Sequence, residues 1–222
     1  MDDRLIGRAG FFGILAGGVA GVVWGRDITS FAGRLVPDAV PAVGPSGGWR
    51  IYTIGDRIPT IDPAAYRLRV DGLVERPLSL TLDDLRALPR AEQVSDFKCV
   101  TGWSVQDVRW AGVRFGDILE AAGPKPEARW LGFISDEVPY TDTLSLEQAS
   151  LPDVMLALDM DGEPLSRPHG APARVVMPQM YGYKSVKWVT SIEVRRDFVR
   201  GYWENHGYDS DAWIGRSNGL SS

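Results

Sequence analysis

With 222 residues, 44% of them apolar and 10% aromatic, the chain has room for one large domain or two small ones and enough hydrophobic side chain to close a core. A net charge of −5 with mixed signs excludes the clustered basic surface that a phosphate backbone rewards, so nucleic acid is set aside as a partner. Eight Trp, 15 Pro and 25 Gly point to a turn-rich, β-containing domain with large side chains packed at its corners.

The N-terminal stretch differs from the rest. No charge occurs between Arg8 and Arg26, and Ala9 to Trp24 is apolar and glycine-rich. As a helix it would extend roughly 25 Å, a little short of the ~30 Å hydrocarbon core of a bilayer. Residues 1–32 are therefore expected to be an export signal, or a membrane anchor through residues 9–25. Arg4 and Arg8 form the positive flank, and Ser30-Phe31-Ala32 is a small-residue cleavage site. The layout is similar to a twin-arginine signal, with Arg8 followed by Ala9 where a second arginine would stand. The protein is accordingly expected outside the cytoplasm, in the periplasm or cell envelope. Residues 33–48, with Pro37, Pro41 and Pro45, read as an extended linker.

The globular part, residues 49–222, opens with the short segment Arg50 to Gly55. A strand is expected over Tyr66 to Val70, and a short helix after Thr81, whose first turn holds Asp83 and Asp84. Val94 to Val100 should be a strand that delivers Cys99 near its end, with Gly102 permitting a tight turn. Trp110 begins another element, and Phe115 to Ala122 is a helix stopped by Gly123-Pro124. Trp130 to Ile134 is a continuous apolar strand, and Ser145 to Gln148 has capping-box spacing. A strand from Leu156 runs into a turn at Asp161-Gly162; Ala173 to Met177 and Ser185 to Val194 complete the strands, the last alternating Val186, Trp188, Thr190, Ile192 and Val194 on one face. The tail from Gly201 to Ser222 is expected to wrap the surface. Short helices among many strands make the fold α+β with a mixed sheet. Neither Gly-x-Gly-x-x-Gly nor Gly-Lys-Ser/Thr occurs, which argues against nucleotide binding by those loops.

Two stretches carry chemistry. Cys99, in Phe97-Lys98-Cys99-Val100-Thr101-Gly102-Trp103-Ser104-Val105, is the one cysteine of the chain; its roles are buried filler, nucleophile, redox thiol or thiolate ligand to a metal. The second runs Pro168-His169-Gly170-Ala171-Pro172-Ala173-Arg174-Val175-Val176-Met177-Pro178, followed by Tyr181-Gly182-Tyr183-Lys184-Ser185-Val186-Lys187-Trp188. It combines a histidine, an arginine, two lysines and two glycine turns, an anion cradle in which Gly170 and Gly182 would let backbone N–H groups approach a phosphate. A hairpin with solvated basic residues, Lys187 at a surface strand edge among them, is the alternative.

Together these stretches resemble the sulfite oxidase superfamily of molybdopterin-dependent oxidoreductases over roughly residues 49 to 210. The family's cysteine segment is similar to that around Cys99, and its pterin-binding half to His-Gly-Ala-Pro-x-Arg-Val-Val-x-Pro and Tyr-Gly-Tyr-Lys-Ser-Val-Lys-Trp. The resemblance implies a mixed-sheet molybdopterin-binding domain and a molybdenum-molybdopterin cofactor with Cys99 as metal ligand. Tyr52 and Thr53 would pack on the pterin, and Ser135 would hydrogen-bond near it. His169 and Arg174 would hold its phosphate end, with Gly182, Tyr183 and Lys184 closing that side. Tyr140 stands where the family has a tyrosine near the substrate oxygen, as proton donor or anchor. The chain looks closer to small bacterial catalytic subunits of the periplasmic methionine sulfoxide reductase type, fed electrons by a membrane haem protein, although that type has Asn at the position of His169.

The implied reaction is oxygen-atom transfer, with S-oxide reduction favoured over sulfite oxidation. A sulfite dianion needs converging cations, for which Arg50 and Arg109 are the candidates. Two other readings stand beside it: a metal-free thiol enzyme with Cys99 as nucleophile and His169 or His206 as base, and a non-catalytic module that kept the fold and lost the metal.

Overall fold

The computed structural model describes residues 4–6 and 48–217. The expected leader or anchor, apart from residues 4–6, and all but the last residue of the expected linker lie outside the described residues. A short parallel pair joins β1 (Arg4–Ile6) to β2 (Arg50–Tyr52).

Two five-stranded sheets make the body. The first runs β4 (Leu78–Leu80), β3 (Leu68–Gly72), β12 (Val189–Arg195), β7 (Trp130–Ser135), β8 (Thr141–Ser145). It is mixed, since β3 and β12 are parallel and its other neighbours antiparallel. The second runs β10 (Glu163–Pro164), β9 (Met155–Met160), β6 (Ser104–Arg114), β5 (Arg90–Lys98), with β11 (Arg174–Val176) also antiparallel to β9. With only short helices added, the architecture is α+β, as the sequence pattern indicates.

Local chemistry sets the helix ends. Thr81 Oγ1 accepts from the Asp84 N–H and the Asp84 carboxylate accepts from the Thr81 N–H, so α1 (Leu82–Ala87) starts at a reciprocal cap. Gly123, left-handed at φ 69°, ends α2 (Phe115–Ala122). Ser145 and Gln148 cap α3 (Leu146–Ala149) in the same reciprocal way. Asp161 and Gly162 both take positive φ, 53° and 88°, in the turn from β9 to β10.

Three expectations are corrected. Trp110 does not begin an element; it lies inside β6, an 11-residue strand. Gly112 of that strand is needed because a Cβ there would lie 2.1 Å from the Leu156 carbonyl oxygen of β9. The single-face alternation from Val186 fails as well. Trp188 has φ 52° and the pairing of β12 with β7 shifts between Val189 and Ser191, so β12 starts only at Val189. Nor does the tail merely wrap the surface: Tyr202, Trp203 and Tyr208 are buried in the larger core.

The apolar groups divide in two. The larger core fills the space around the first sheet and α2 with Leu68, Val70, Phe115, Ile118, Leu131, Phe133 and Ile192, each removed from water at about 1.5–3 kcal/mol of transfer free energy. A smaller cluster, Trp49, Ile51, Trp103, Trp110 and Met155, lies under β2 and the second sheet. The site opens where these two groups meet.

Candidate active site

Strand β5 ends at Lys98, so Cys99 sits one residue past the strand rather than within its last residues as expected. Its N–H donates to the Trp103 carbonyl at 2.9 Å and its carbonyl accepts from the Gly102 N–H at 3.0 Å, with Gly102 at φ 88°, a conformation open to glycine. The Sγ atom is half-buried, 3.2 Å from Thr101 Oγ1. Thr101 Oγ1 lies 3.3 Å from the Tyr52 hydroxyl, which also accepts from Trp103 Nε1 at 3.2 Å.

Burial pushes the Cys99 thiol up from its ordinary value, against the Thr101 hydrogen bond and the charge of Arg50, which pull it down. A thiol nucleophile needs the opposite shift and a base. Thr101 and Trp103 offer side-chain hydrogen bonds to Sγ, and His206 is exposed with Nδ1 2.7 Å from the Tyr202 carbonyl oxygen. The geometry therefore disfavours a metal-free thiol enzyme. No group of three or more His, Cys, Asp or Glu converges among the described residues, so a metal on Cys99 would draw its other donors from the ligand it arrives with.

Cys99 shares one cleft with the basic stretch. The cleft holds about 750 Å³ of non-atom space, open solvent included. Tyr52, Thr53, Ser135, Tyr140, His169, Arg174, Gly182 and Tyr183 all border it with Cys99. Arg174 is 2% exposed; its Nη1 donates to the His169 carbonyl at 3.0 Å and its guanidinium lies 5.5 Å from the Phe97 ring centroid and 5.1 Å from that of Trp110. Among the described residues no carboxylate forms an ion pair with it. Burial pushes it down to about 10. His169, also buried, packs edge-on against Trp49 with ring centroids 4.8 Å apart.

Lys187, expected at a surface strand edge, instead borders the cleft. Its Nζ donates to the Tyr52 carbonyl at 2.7 Å and lies 4.0 Å from the Trp188 ring centroid. Burial pushes its ammonium down to about 7, the charge of Glu137 opposing and that of Arg174 adding to the shift. An unfolded lysine keeps its proton to about pH 10.4, so between about 7 and 10 the folded chain binds fewer protons and its stability rises with pH. Lys187→Met is expected to flatten that rise in protein free of ligand, as read from melting temperatures at pH 7 and 9.5; a slope equal to that of the parent would contradict the assignment.

Glu137 is the second residue the sequence did not flag. Its Oε1 accepts from the Thr53 hydroxyl, from the Ile54 N–H at 2.9 Å and from the Gly55 N–H at 3.4 Å. An ammonium and a carboxylate thus clasp residues 52–55 against the cleft from two sides. Ser135 supports the arrangement, its hydroxyl donating to the Lys187 carbonyl at 2.8 Å and accepting from the Glu137 N–H at 3.0 Å.

The remaining predicted residues have defined places. The Tyr140 hydroxyl donates to the Tyr183 carbonyl at 2.7 Å, and burial first, then the charges of Asp142 and Glu137, holds its phenol well above the ordinary value. The Tyr183 hydroxyl donates to the Asp209 carbonyl. Gly182 owes its identity to Phe97: a Cβ there would lie 2.2 Å from the ring, which explains the glycine without an approaching phosphate. Gly170, at φ 104°, donates its N–H to the Arg167 carbonyl and is pressed against Lys187. The Lys184 ammonium does not border the cleft; it lies behind the wall, 2.5 Å from both Asp142 Oδ1 and Glu204 Oε1. Arg50 borders the cleft, whereas Arg109 is exposed on β6 and does not.

The described family model that matches is the oxidoreductase molybdopterin binding domain, over residues 55–203. The chain is 40% identical over 154 residues to an uncharacterized oxidoreductase, YuiH, of Bacillus subtilis, a match that covers 68% of this chain and 77% of that protein. It is 36% identical over 166 residues to YedZ1 of Azospira oryzae, named as a subunit of a protein-methionine-sulfoxide reductase, covering 75% of this chain and 62% of the relative. The sulfane dehydrogenase SoxCD of Paracoccus pantotrophus superposes with a TM-score of 0.61 at 28% identity, over 65% of this chain and 41% of that one. This chain thus spans less than two thirds of the latter two.

Proposed function

Because the chain belongs to the oxidoreductase molybdopterin-binding domain family, of the sulfite oxidase superfamily, we propose that it transfers oxygen atoms and that its reaction is S-oxide reduction, with methionine sulfoxide as the type substrate. The observation that carries the reading is that Cys99, Arg174 and Lys187 border one cleft.

The residues fit a molybdenum-molybdopterin group. A single thiolate donor suits a metal whose remaining donors come with its own ligand, and a buried guanidinium without a carboxylate suits a phosphate. Cys99 would bind the metal; Arg174, His169 and Lys187 would hold the phosphate end; Tyr52, Thr53 and Ser135 would line the ring portion. The two-electron exchange of an oxygen atom is the chemistry that this group supplies when bound.

The chain supplies the rest. Cys99 must shed its proton to act as ligand, and the Thr101 hydroxyl and Arg50 charge favour the thiolate against burial. Overall, an S-oxide takes up two protons and two electrons and leaves as a thioether and water. Tyr140, whose phenol stays protonated throughout the working pH range, is the proposed donor or anchor on the substrate side. Its hydroxyl would turn from the Tyr183 carbonyl towards the substrate oxygen. A sulfite dianion would need several converging cations, and only Arg50 of the two candidates reaches the cleft, which favours the reductive direction. Electrons would come from a membrane haem partner, and the protein would work outside the cytoplasm. Among the described residues no helix is long and apolar enough to cross a membrane.

Steady-state assays on molybdenum-loaded protein test the reading: reduction of methionine sulfoxide with a reduced dye, set against oxidation of sulfite with an electron acceptor. S-oxide turnover is the expected result, and activity confined to sulfite would reverse the direction.

A further inference from the structure

Two cations of the cleft are assigned above to the phosphate end and are held in place by protein groups: Lys187 by the Tyr52 carbonyl, Arg174 by carbonyl groups and two aromatic rings. Arg50 is different. It lies on β2, where the buried Ile51 points into the smaller core and strand alternation sends Arg50 and Tyr52 to the opposite face. Tyr52 there reaches Thr101 and Trp103, beside Cys99. Arg50 borders the same cleft half-buried, and its guanidinium makes no hydrogen bond or ion pair with a described residue. Cys99 and Tyr52 line that cleft with it.

We propose that Arg50 determines substrate specificity, as a single-cation subsite that takes the carboxylate of an S-oxide carrying one negative charge near its sulfur. The proposal rests on the S-oxide reading above. A planar guanidinium with free N–H groups matches a carboxylate in a two-point contact. One cation balances one charge, so a monoanionic substrate is matched where a dianion would be left half-compensated. Two sources offer this chemistry, the α-carboxylate of a terminal methionine S-oxide and an acidic neighbour within a peptide. Trp49, Tyr52 and Trp103 line the same cleft, so a neutral S-oxide gains only apolar contact there.

The test uses matched pairs on the full, loaded chain. N-acetylmethionine S-oxide is compared with its neutral N-methylamide, and an acetyl-Asp-methionine S-oxide amide with its Asn counterpart. Kinetics give the ratio of kcat/KM within each pair, and calorimetric titration of the corresponding sulfones gives binding without turnover. At low salt the charged member of one pair is expected to be favoured roughly five- to tenfold, the scale of one charge-assisted contact at a partly exposed site. Arg50→Gln should bring that ratio near one, Arg50→Lys should keep most of it, and added salt should erode it in the parent. The pair that shows the preference identifies the source. Ratios near one in the parent for both pairs, or a preference that survives Arg50→Gln, would overturn the proposal. Should Arg50→Gln fail to fold, the parent ratios and their salt dependence still decide. A charge preference in sulfone binding with no S-oxide turnover would instead sink the reductase reading and leave the subsite standing.

Discussion

Cys99→Ser is expected to lower turnover at least about a thousandfold, on the order of 4 kcal/mol of transition-state stabilisation, while the fold survives. A serine oxygen is a harder donor than sulfur and holds its proton far above neutral pH, so it offers a neutral alcohol where the metal requires a soft anion. The turn does not depend on the sulfur. It is held by the Cys99 N–H to the Trp103 carbonyl and the Gly102 N–H to the Cys99 carbonyl, both backbone bonds, with Gly102 supplying the positive φ. Serine can also keep a contact to Thr101 Oγ1, so the stability change should stay within about 1 kcal/mol. Parallel measurements of kcat, molybdenum per chain and the melting curve check all three parts. Parent-like activity in a folded variant would remove Cys99 as ligand, whereas loss of folding would mean that the sulfur packs more than it coordinates.

What could be read from the sequence divides by the range of the forces involved. Thr81 with Asp84, Ser145 with Gln148 and Gly123 after α2 act within one turn of chain, so their residue types and spacing suffice. The strand leading to Cys99 and the glycine three residues past it at Gly102 are equally local. Lys187 and Glu137 are not. Lys187 bonds a carbonyl 135 positions away, and Glu137 bonds an amide 83 positions away, so their burial follows from tertiary closure alone. One signal was available: Lys187 stands between Val186 and Trp188, both fully buried, and a charge set in an apolar run asks for a partner. Gly182 misled in the opposite sense. It looked like a turn open to a phosphate, yet it is small because the Phe97 ring comes too close for a Cβ. The tail was misjudged because its aromatics alternate with polar residues; one of these, Glu204, is itself buried and paired.

That buried pairing carries the second large effect: Lys184→Met is expected to cost roughly 3–5 kcal/mol, the usual penalty for stranding a buried charge. Lys184, Asp142 and Glu204 are at most 1% exposed, and the ammonium lies 2.5 Å from an oxygen of each carboxylate. Burial alone would push Lys184 down, but the two carboxylates outweigh it and hold the ammonium charged. Burial likewise pushes Asp142 up, with the Lys184 charge resisting and that of Glu204 reinforcing it. Its Oδ2 has no hydrogen-bond partner among the described residues. Without the ammonium the Asp142 carboxylate loses the charge that resists its upward shift and prefers still more to be protonated in the folded chain. The folded variant then binds more protons than the unfolded chain, so its stability falls as pH rises through the titration of that carboxylate. The deficit against the parent should therefore be larger at pH 8 than at pH 5, as urea midpoints at the two pH values would show. Equal deficits would mean lost packing rather than lost charge. The damage should also reach the cleft. Glu204 Oε2 accepts the Gly201 N–H at 2.8 Å, the Tyr202 N–H donates to the Thr141 carbonyl next to Asp142, and Trp203 and Tyr183 both border the site. Loosening the clasp frees two cleft walls at once, so the molybdenum content of the purified variant should fall together with its stability.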